Sequence, residues 1–174
     1  MSITLIKQPS KKPAAPVVVR RNSGQRGVKQ AGGGVVSHCV HGATGKGRAA
    51  DFTPSKLIEA LRLGLPVREL DELQASLAVP MERLFPMLGI SKATFHRRKA
   101  GGRLDPAESD RVVRFARLLG QAVKVFGDLE DARQWLDSPQ FGLGGAVPLA
   151  YAQTEIGARE VENLLGRIEY GVYS

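Results

Sequence analysis

From Thr53 onward, apolar positions recur at helical spacing and are broken into segments by turn residues. In DFTPSKLIEALRLG, Thr53 is placed to cap, Pro54 suits a first helical turn, and Leu57, Ile58 and Leu61 predict one apolar face. A second helix is expected over about 67–78, with Leu70, Leu73 and Leu77 on one side. A short third starts at Pro80 and turns Leu84, Phe85 and Leu88 inward. Gly89 then turns the chain, and a fourth helix is expected over 91–99. The segment DPAESDRVVRFARLLGQAVKVFG predicts a long helix, because Val112, Phe115, Ala116, Leu119, Ala122, Val123 and Phe126 recur at helical spacing. A short helix carries Leu129, Ala132, Trp135 and Leu136, and FGLGGAVP reads as a glycine-rich loop. The last long helix, over about 154–169, aligns Val161, Leu164, Leu165 and Ile168. No alternation of strand length appears, so the expected fold class is all-α.

The first fifty residues follow no such period. They are rich in Pro, Gly, Ser and Lys, and their valines come in short bursts, as at Val17 to Val19 and at Val35 and Val36. Such a segment buries little and is expected to be a flexible leader. The alternative is a basic arm lying along a DNA backbone. The expected organisation is therefore a leader over 1–50, a first module over 51–110 and a second over 111–174.

Charge sharpens that division. The chain of 174 residues carries a formal +8, yet residues 1–50 hold nine Lys or Arg and no Asp or Glu, so the remainder is close to neutral. Within that remainder, residues 89–117 have eight basic and three acidic groups, while 118–174 have four basic and eight acidic. A basic module followed by an acidic one suggests two different partners. No apolar run approaches the roughly 20 residues that span a bilayer, and no signal-peptide pattern opens the chain. With one cysteine, Cys39, there is no internal disulfide, and a cytoplasmic protein is expected.

The stretch GISKATFHRRKA, residues 89–100, concentrates the basic charge. A helix-turn-helix needs two helices at a steep angle joined by a tight turn, and ERLFPMLG–IS–KATFHRRK has that form, with Gly89 at the turn. Leu84, Leu88, Ile90 and Phe95 would hold the pair together, and the opposite face of the second helix would meet a major groove. Ser91 and Lys92 suit phosphate or base contacts near the helix start, with Thr94 in the same turn. His96 and Arg97 are the candidates for base edges, since arginine bonds guanine in two places. Lys99 and Arg103 would reach the DNA backbone. Two features resist: Pro86 demands a short or kinked first helix, and Arg98 stands where an apolar residue would complete the core, its stem packing while its head reaches water. Taken alone, the pattern fits a DNA-reading helix and also a plain helical hairpin.

The second half carries a denser set of motifs. Val125-Phe126-Gly127, Trp135-Leu136, Pro139, Leu143-Gly144-Gly145, Pro148-Leu149, Thr154, Gly157, Glu160-Val161, Arg167-Ile168-Glu169, Gly171 and Tyr173 closely resemble the toxin-binding domain of the Xre/MbcA/ParS antitoxin family. Residues 53–110, including ISKATFHRRKAGGRL, resemble the Xre-type helix-turn-helix of the same family; the first fifty residues have no part in the resemblance. It implies the antitoxin of a two-gene bacterial module that covers the active site of a RES-domain, NAD-consuming toxin. It also implies repression of the protein's own operon through operator DNA, as a dimer or within a larger complex. A repressor without a cognate toxin is the alternative. Pro86, Arg98 and the leader depart from the family pattern and bear on the DNA contacts. At the C-terminus, Arg167, Glu169, Tyr170, Gly171, Tyr173 and Ser174 are the candidate toxin contacts. The helix stops at Gly171, and a short aromatic, anionic tail would suit a pocket made for a phosphate-bearing dinucleotide; local packing of a frayed end is the alternative.

Other signals carry less. GATGKG lacks the first glycine of a phosphate loop and the Ser or Thr after its lysine, since Val40 and Gly47 hold those positions. His38, Cys39 and His41 have no distant second pair to complete a zinc site. No nucleophile–base set is apparent, so neither a cofactor nor enzymatic activity is expected. Trp135 reads as a core residue whose indole N–H finds a backbone partner.

Overall fold

The computed structural model describes residues 34–42 and 53–172. The helices are α1 (Val35–Gly42), α2 (Pro54–Leu63), α3 (Arg68–Leu77), α4 (Met81–Leu88), α5 (Lys92–Gly101), α6 (Pro106–Phe126), α7 (Leu129–Leu136), α8 (Pro148–Tyr151) and α9 (Glu155–Glu169), with a 3₁₀ turn at Phe141–Leu143. Among the described residues no strand forms, only isolated bridge pairs at Pro66–Arg103 and Gln140–Ala146. The all-α expectation holds.

Helix α6 is the spine. Asp105 caps it by accepting from the Ala107 N–H at 2.9 Å, and Glu108 reaches back to the Asp105 N–H at 2.7 Å, which satisfies donors the first turn leaves unpaired. Val112, Phe115, Ala116, Leu119 and Ala122 are fully buried, and α1, α3, α7 and α9 pack around them. Leu70, Leu73 and Leu77 of α3, Leu84 and Leu88 of α4, Leu136 of α7, and Val161 and Leu165 of α9 complete one continuous core. The inward positions that the sequence predicts for α3, α4 and α6 are thus largely those that are buried.

Four departures have physical causes. The first lies inside the expected leader, where Val35–Gly42 forms α1. Val35, Val36 and Val40 are buried against α3 and α6, and the buried Glu69 carboxylate accepts from the Val36 N–H at 2.9 Å. Glu69 thereby does for α1 what an N-cap side chain does, from a different helix. Secondly, α2 buries no residue completely: Leu57 and Leu61 rest half-buried on the core, while Ile58 is 51% exposed. A helix laid flat on the surface covers only a narrow stripe, and Ile58 falls beside it. Thirdly, FGLGGAVP is not plain loop, since it holds the 3₁₀ turn and leads into α8, with Pro148 as the first helical residue.

The fourth departure concerns Arg98, whose head does not escape to water. Its Nε donates to Glu108 Oε2 at 2.8 Å and its Nη2 lies 3.5 Å from Asp105 Oδ2. The guanidinium therefore ties α5 to the capping box of α6. Pro86 is accommodated as expected of a short helix: α4 has eight residues, and the missing N–H falls in its last turn.

Candidate functional site

Two surfaces collect the candidate residues, at either end of α6. At the first, α4 and α5 meet through a tight turn. Gly89 takes φ 63°, ψ 32°, its N–H donates to Pro86 O at 3.2 Å, and the Ile90 N–H donates to Phe85 O at 2.9 Å. Crossed hydrogen bonds with a left-handed glycine form the usual close of a helix. Arg111 braces the turn from α6 by donating to Leu88 O at 2.8 Å. Helix α5 starts at Ser91, whose Oγ accepts from the Thr94 N–H at 3.0 Å. The rings of Phe85 and Phe95 stand 5.2 Å apart and lock the two helices together. The pair is a helix-turn-helix in geometry as well as in pattern.

The candidate DNA contacts separate by what their side chains already do. Lys92, His96, Arg97 and Lys99 are exposed on α5, and Lys92 and Arg97 form no ion pair among the described residues. His96 rests its ring 6.0 Å from that of Phe95, and the Lys99 ammonium sits 5.6 Å from the Phe95 centroid. Ser91 and Thr94 bond each other through their hydroxyls at 2.9 Å and serve the cap. Arg103 turns toward the end of α2, donating to Gly64 O at 2.5 Å and Leu63 O at 3.4 Å. Four cationic or titratable side chains on one short helix, with their charge uncompensated, make a surface suited to phosphate and base edges.

At the second surface, α9 runs back along α6. Lys124 and Glu169 pair across the two helices at 2.8 Å. Arg167 is half-buried, and its Nε is buried without a hydrogen-bond partner among the described residues. Tyr170 is 80% exposed, and Gly171 closes the helix at φ 67° with its N–H on Ile168 O at 3.2 Å. Tyr173 and Ser174 lie outside the described residues. Arg167 thus lies on the last turn of α9, Tyr170 and Gly171 follow just beyond its end, and Glu169 is held to α6.

Between the two surfaces is an open hollow of about 350 Å³ lined by Asp110, Val113, Arg114, Arg117 and Glu155. Its charges answer one another: Arg114 pairs with Glu155 at 3.1 Å and Asp110 at 3.4 Å, and Arg117 with Glu162 at 2.6 Å. No cluster of three potential metal ligands occurs among the described residues. No helix among them is long and apolar enough to cross a membrane. Sequence reasoning passed over Glu69, Arg111 and the exposed Phe141. Only Phe141 gave a readable signal, an aromatic beside glycines in a short turn.

A helix-turn-helix with a cationic outer face is joined through a shared helix, α6, to a second helical module. Residues 56–117 match the antitoxin Xre-like helix-turn-helix domain, and residues 121–171 match the antitoxin Xre/MbcA/ParS C-terminal toxin-binding domain. An Antitoxin Xre of Yersinia enterocolitica is 37% identical over 120 residues, covering 68% of this chain and 81% of the relative. An Antitoxin Xre of Photorhabdus laumondii is 39% identical over 116 residues, covering 66% and 78%. A third, from Pseudomonas putida, is 36% identical over 64 residues, covering 37% and 40%. The chain belongs to the Xre/MbcA/ParS antitoxin family. It is an antitoxin with a helix-turn-helix domain and a toxin-binding domain.

Proposed function

We propose that the chain neutralises a RES-domain toxin that consumes NAD, and that it represses its own operon through α5. The observation that carries this reading is one helix, α6, serving two modules, one with an uncompensated cationic face and the other matching a toxin-binding domain. Lys92, His96, Arg97 and Lys99 meet operator DNA. Arg97 is placed to read a base edge, and Lys92 and Lys99 bind phosphates. Ser91 and Thr94 position the helix start, and Arg103 fixes the following turn beside the DNA backbone. Arg167, Tyr170, Gly171, Tyr173 and Ser174 approach the toxin's active site, with Glu169 aligning them through Lys124. The protein acts in the cytoplasm without catalysis or cofactor, as a homodimer on a two-fold operator and within a larger toxin–antitoxin complex.

Co-expression with the product of an adjacent toxin-type reading frame tests the reading. A stable complex, with cellular NAD preserved only when this chain is present, is the expected result. No complex and no NAD effect, with specific binding to its own promoter, would leave a repressor. Arg97→Ala is expected to weaken operator binding by about ten- to a hundredfold, the worth of one bidentate base contact. Its melting temperature and toxin affinity stay at wild-type values. A loss of toxin binding in that variant would show the two surfaces to be wrongly assigned.

A further inference from the structure

The most exposed large hydrophobic side chain described is Phe141, at 97%. It is not on a loose loop. Gln140 and Ala146 pair across the turn, with the Gln140 N–H on Ala146 O at 3.0 Å and the Gly145 N–H on Gln140 O at 2.9 Å. The Gln140 side-chain amide further donates to Trp135 O at 2.9 Å and Ser138 O at 3.1 Å. Leu143, two residues on, is buried. The turn is therefore fixed from below while its aromatic tip stands in water, an arrangement with no benefit to folding.

The same turn lies against the flank of α9, because a Cβ on Gly142 would come within 2.6 Å of Leu164 Cδ1. Helix α9 buries Ala158, Val161 and Leu165, so positions 156, 163 and 170 line its outer side at helical spacing. Ile156 and Tyr170 on that side are 77% and 80% exposed. Along about 21 Å of helix the order is Ile156, then Phe141 beside Leu164, then Tyr170. Arg167, half-buried with its Nε enclosed, takes no part in this exposed row. Apolar side chains aligned on rigid supports form a binding ridge rather than scattered surface hydrophobes.

We infer that Phe141 and Ile156 form an apolar grip on the toxin, separate from the C-terminal residues that approach its active site. The ridge falls within residues 121–171, the span matching a toxin-binding domain, and this assigns its occupant. The complementary surface is an apolar groove on the toxin. The inference rests on the toxin-binding reading and extends it from the tail to the body of the module. A pre-ordered aromatic anchor loses little side-chain freedom on binding, so it contributes more affinity than a mobile tail of equal area.

The test measures affinity by calorimetry between the full-length chain and the adjacent-frame toxin. Light scattering of the free chain runs alongside. Phe141→Ala is expected to weaken the complex about 30-fold and Ile156→Ala about tenfold, the range of interface anchors. Ile58→Ala, an equally simple truncation on α2, leaves affinity unchanged. Phe141→Ala combined with removal of Tyr173 and Ser174 should give the product of the two separate losses, as expected of independent contacts. Unchanged affinity in Phe141→Ala would overturn the grip while leaving the antitoxin reading intact. An altered oligomeric state of the free Phe141→Ala chain would overturn it too, marking the ridge as a self-association face. Failure of the wild-type chain to bind the toxin would remove the toxin reading, and the inference with it.

Discussion

Gly120→Ala lowers stability by about 2 kcal/mol, although the same change in an unobstructed helix would raise it by roughly 1 kcal/mol. The expected fall in melting temperature is on the order of 5–8 °C. Gly120 is fully enclosed in α6, and a Cβ there would sit 2.2 Å from the Cys39 carbonyl oxygen of α1. That neighbour is backbone and cannot swing aside, so α1 must retreat. The sign is expected to reverse in a chain lacking residues 1–42, where Gly120→Ala becomes stabilising because only the gain in helix propensity remains. Loss of equal size in both backgrounds would show that α1 is not the obstacle.

Cys39, the chain's one cysteine, reports the same event. Burial pushes its thiol above the ordinary value of 9.0, the positive charge of Arg117 opposes the shift, and the negative charge of Glu69 adds to it. Alkylation near neutral pH is therefore slow in the wild type, because little thiolate is present, and it speeds up in Gly120→Ala as α1 leaves. The proton is held more tightly in the folded than in the unfolded chain. This contribution to stability is therefore complete below about pH 9 and is lost as pH rises through the folded value.

Arg98→Ala is expected to cost about 2–3 kcal/mol and to reduce operator affinity, a joint loss that Arg97→Ala does not produce. Glu108 is only 7% exposed and, without Arg98, keeps the Asp105 N–H as its one remaining partner. The charge left behind is then poorly satisfied, and the link from α5 to the start of α6 is gone. Arg98→Lys preserves charge but not the guanidinium fork, so it should fall between. Thermal melts with operator titrations decide the matter. The pair Arg98→Ala and Glu108→Gln together should cost less than the separate losses combined. Strict additivity would mean that the contact carries no coupling.

What the chain pattern disclosed follows the length and regularity of each element. Helices α3 and α4 bury their predicted positions, α6 all of its own but the half-buried Phe126, and α9 buries Val161 and Leu165 while Leu164 and Ile168 stay half-buried. Each repeats the helical period and has clear stop or start residues. Helix α1 has no such signature. Its valines at 35, 36 and 40 give only one i,i+4 pair, and β-branched residues beside glycine are poor helix formers. An eight-residue helix of that composition forms because a groove and the Glu69 carboxylate await it, and neither is local in sequence. Arg98 departs from its expected packing for the same reason, since its partners lie seven and ten residues further on, across a turn. For the site, the cationic residues of α5 were legible from spacing alone. The occupied state of Arg103 and Ser91, and the exposure of Phe141, depend on backbone carbonyls and turns that composition does not encode.

The two domain matches end and begin at residues 117 and 121, midway along α6, and α1 crosses at that point. Its start is fastened to α3 through Glu69, and its middle lies on Gly120. It acts as a splint over the seam between the halves. Exchange of the toxin-binding half between relatives, in nature or by recombination in the laboratory, therefore cannot be a two-piece cut. A chimera joined within 118–120 keeps a functional fold only if its amino-terminal segment matches the new α6 surface. Specificity for a partner would then be inherited as two separated stretches of the gene.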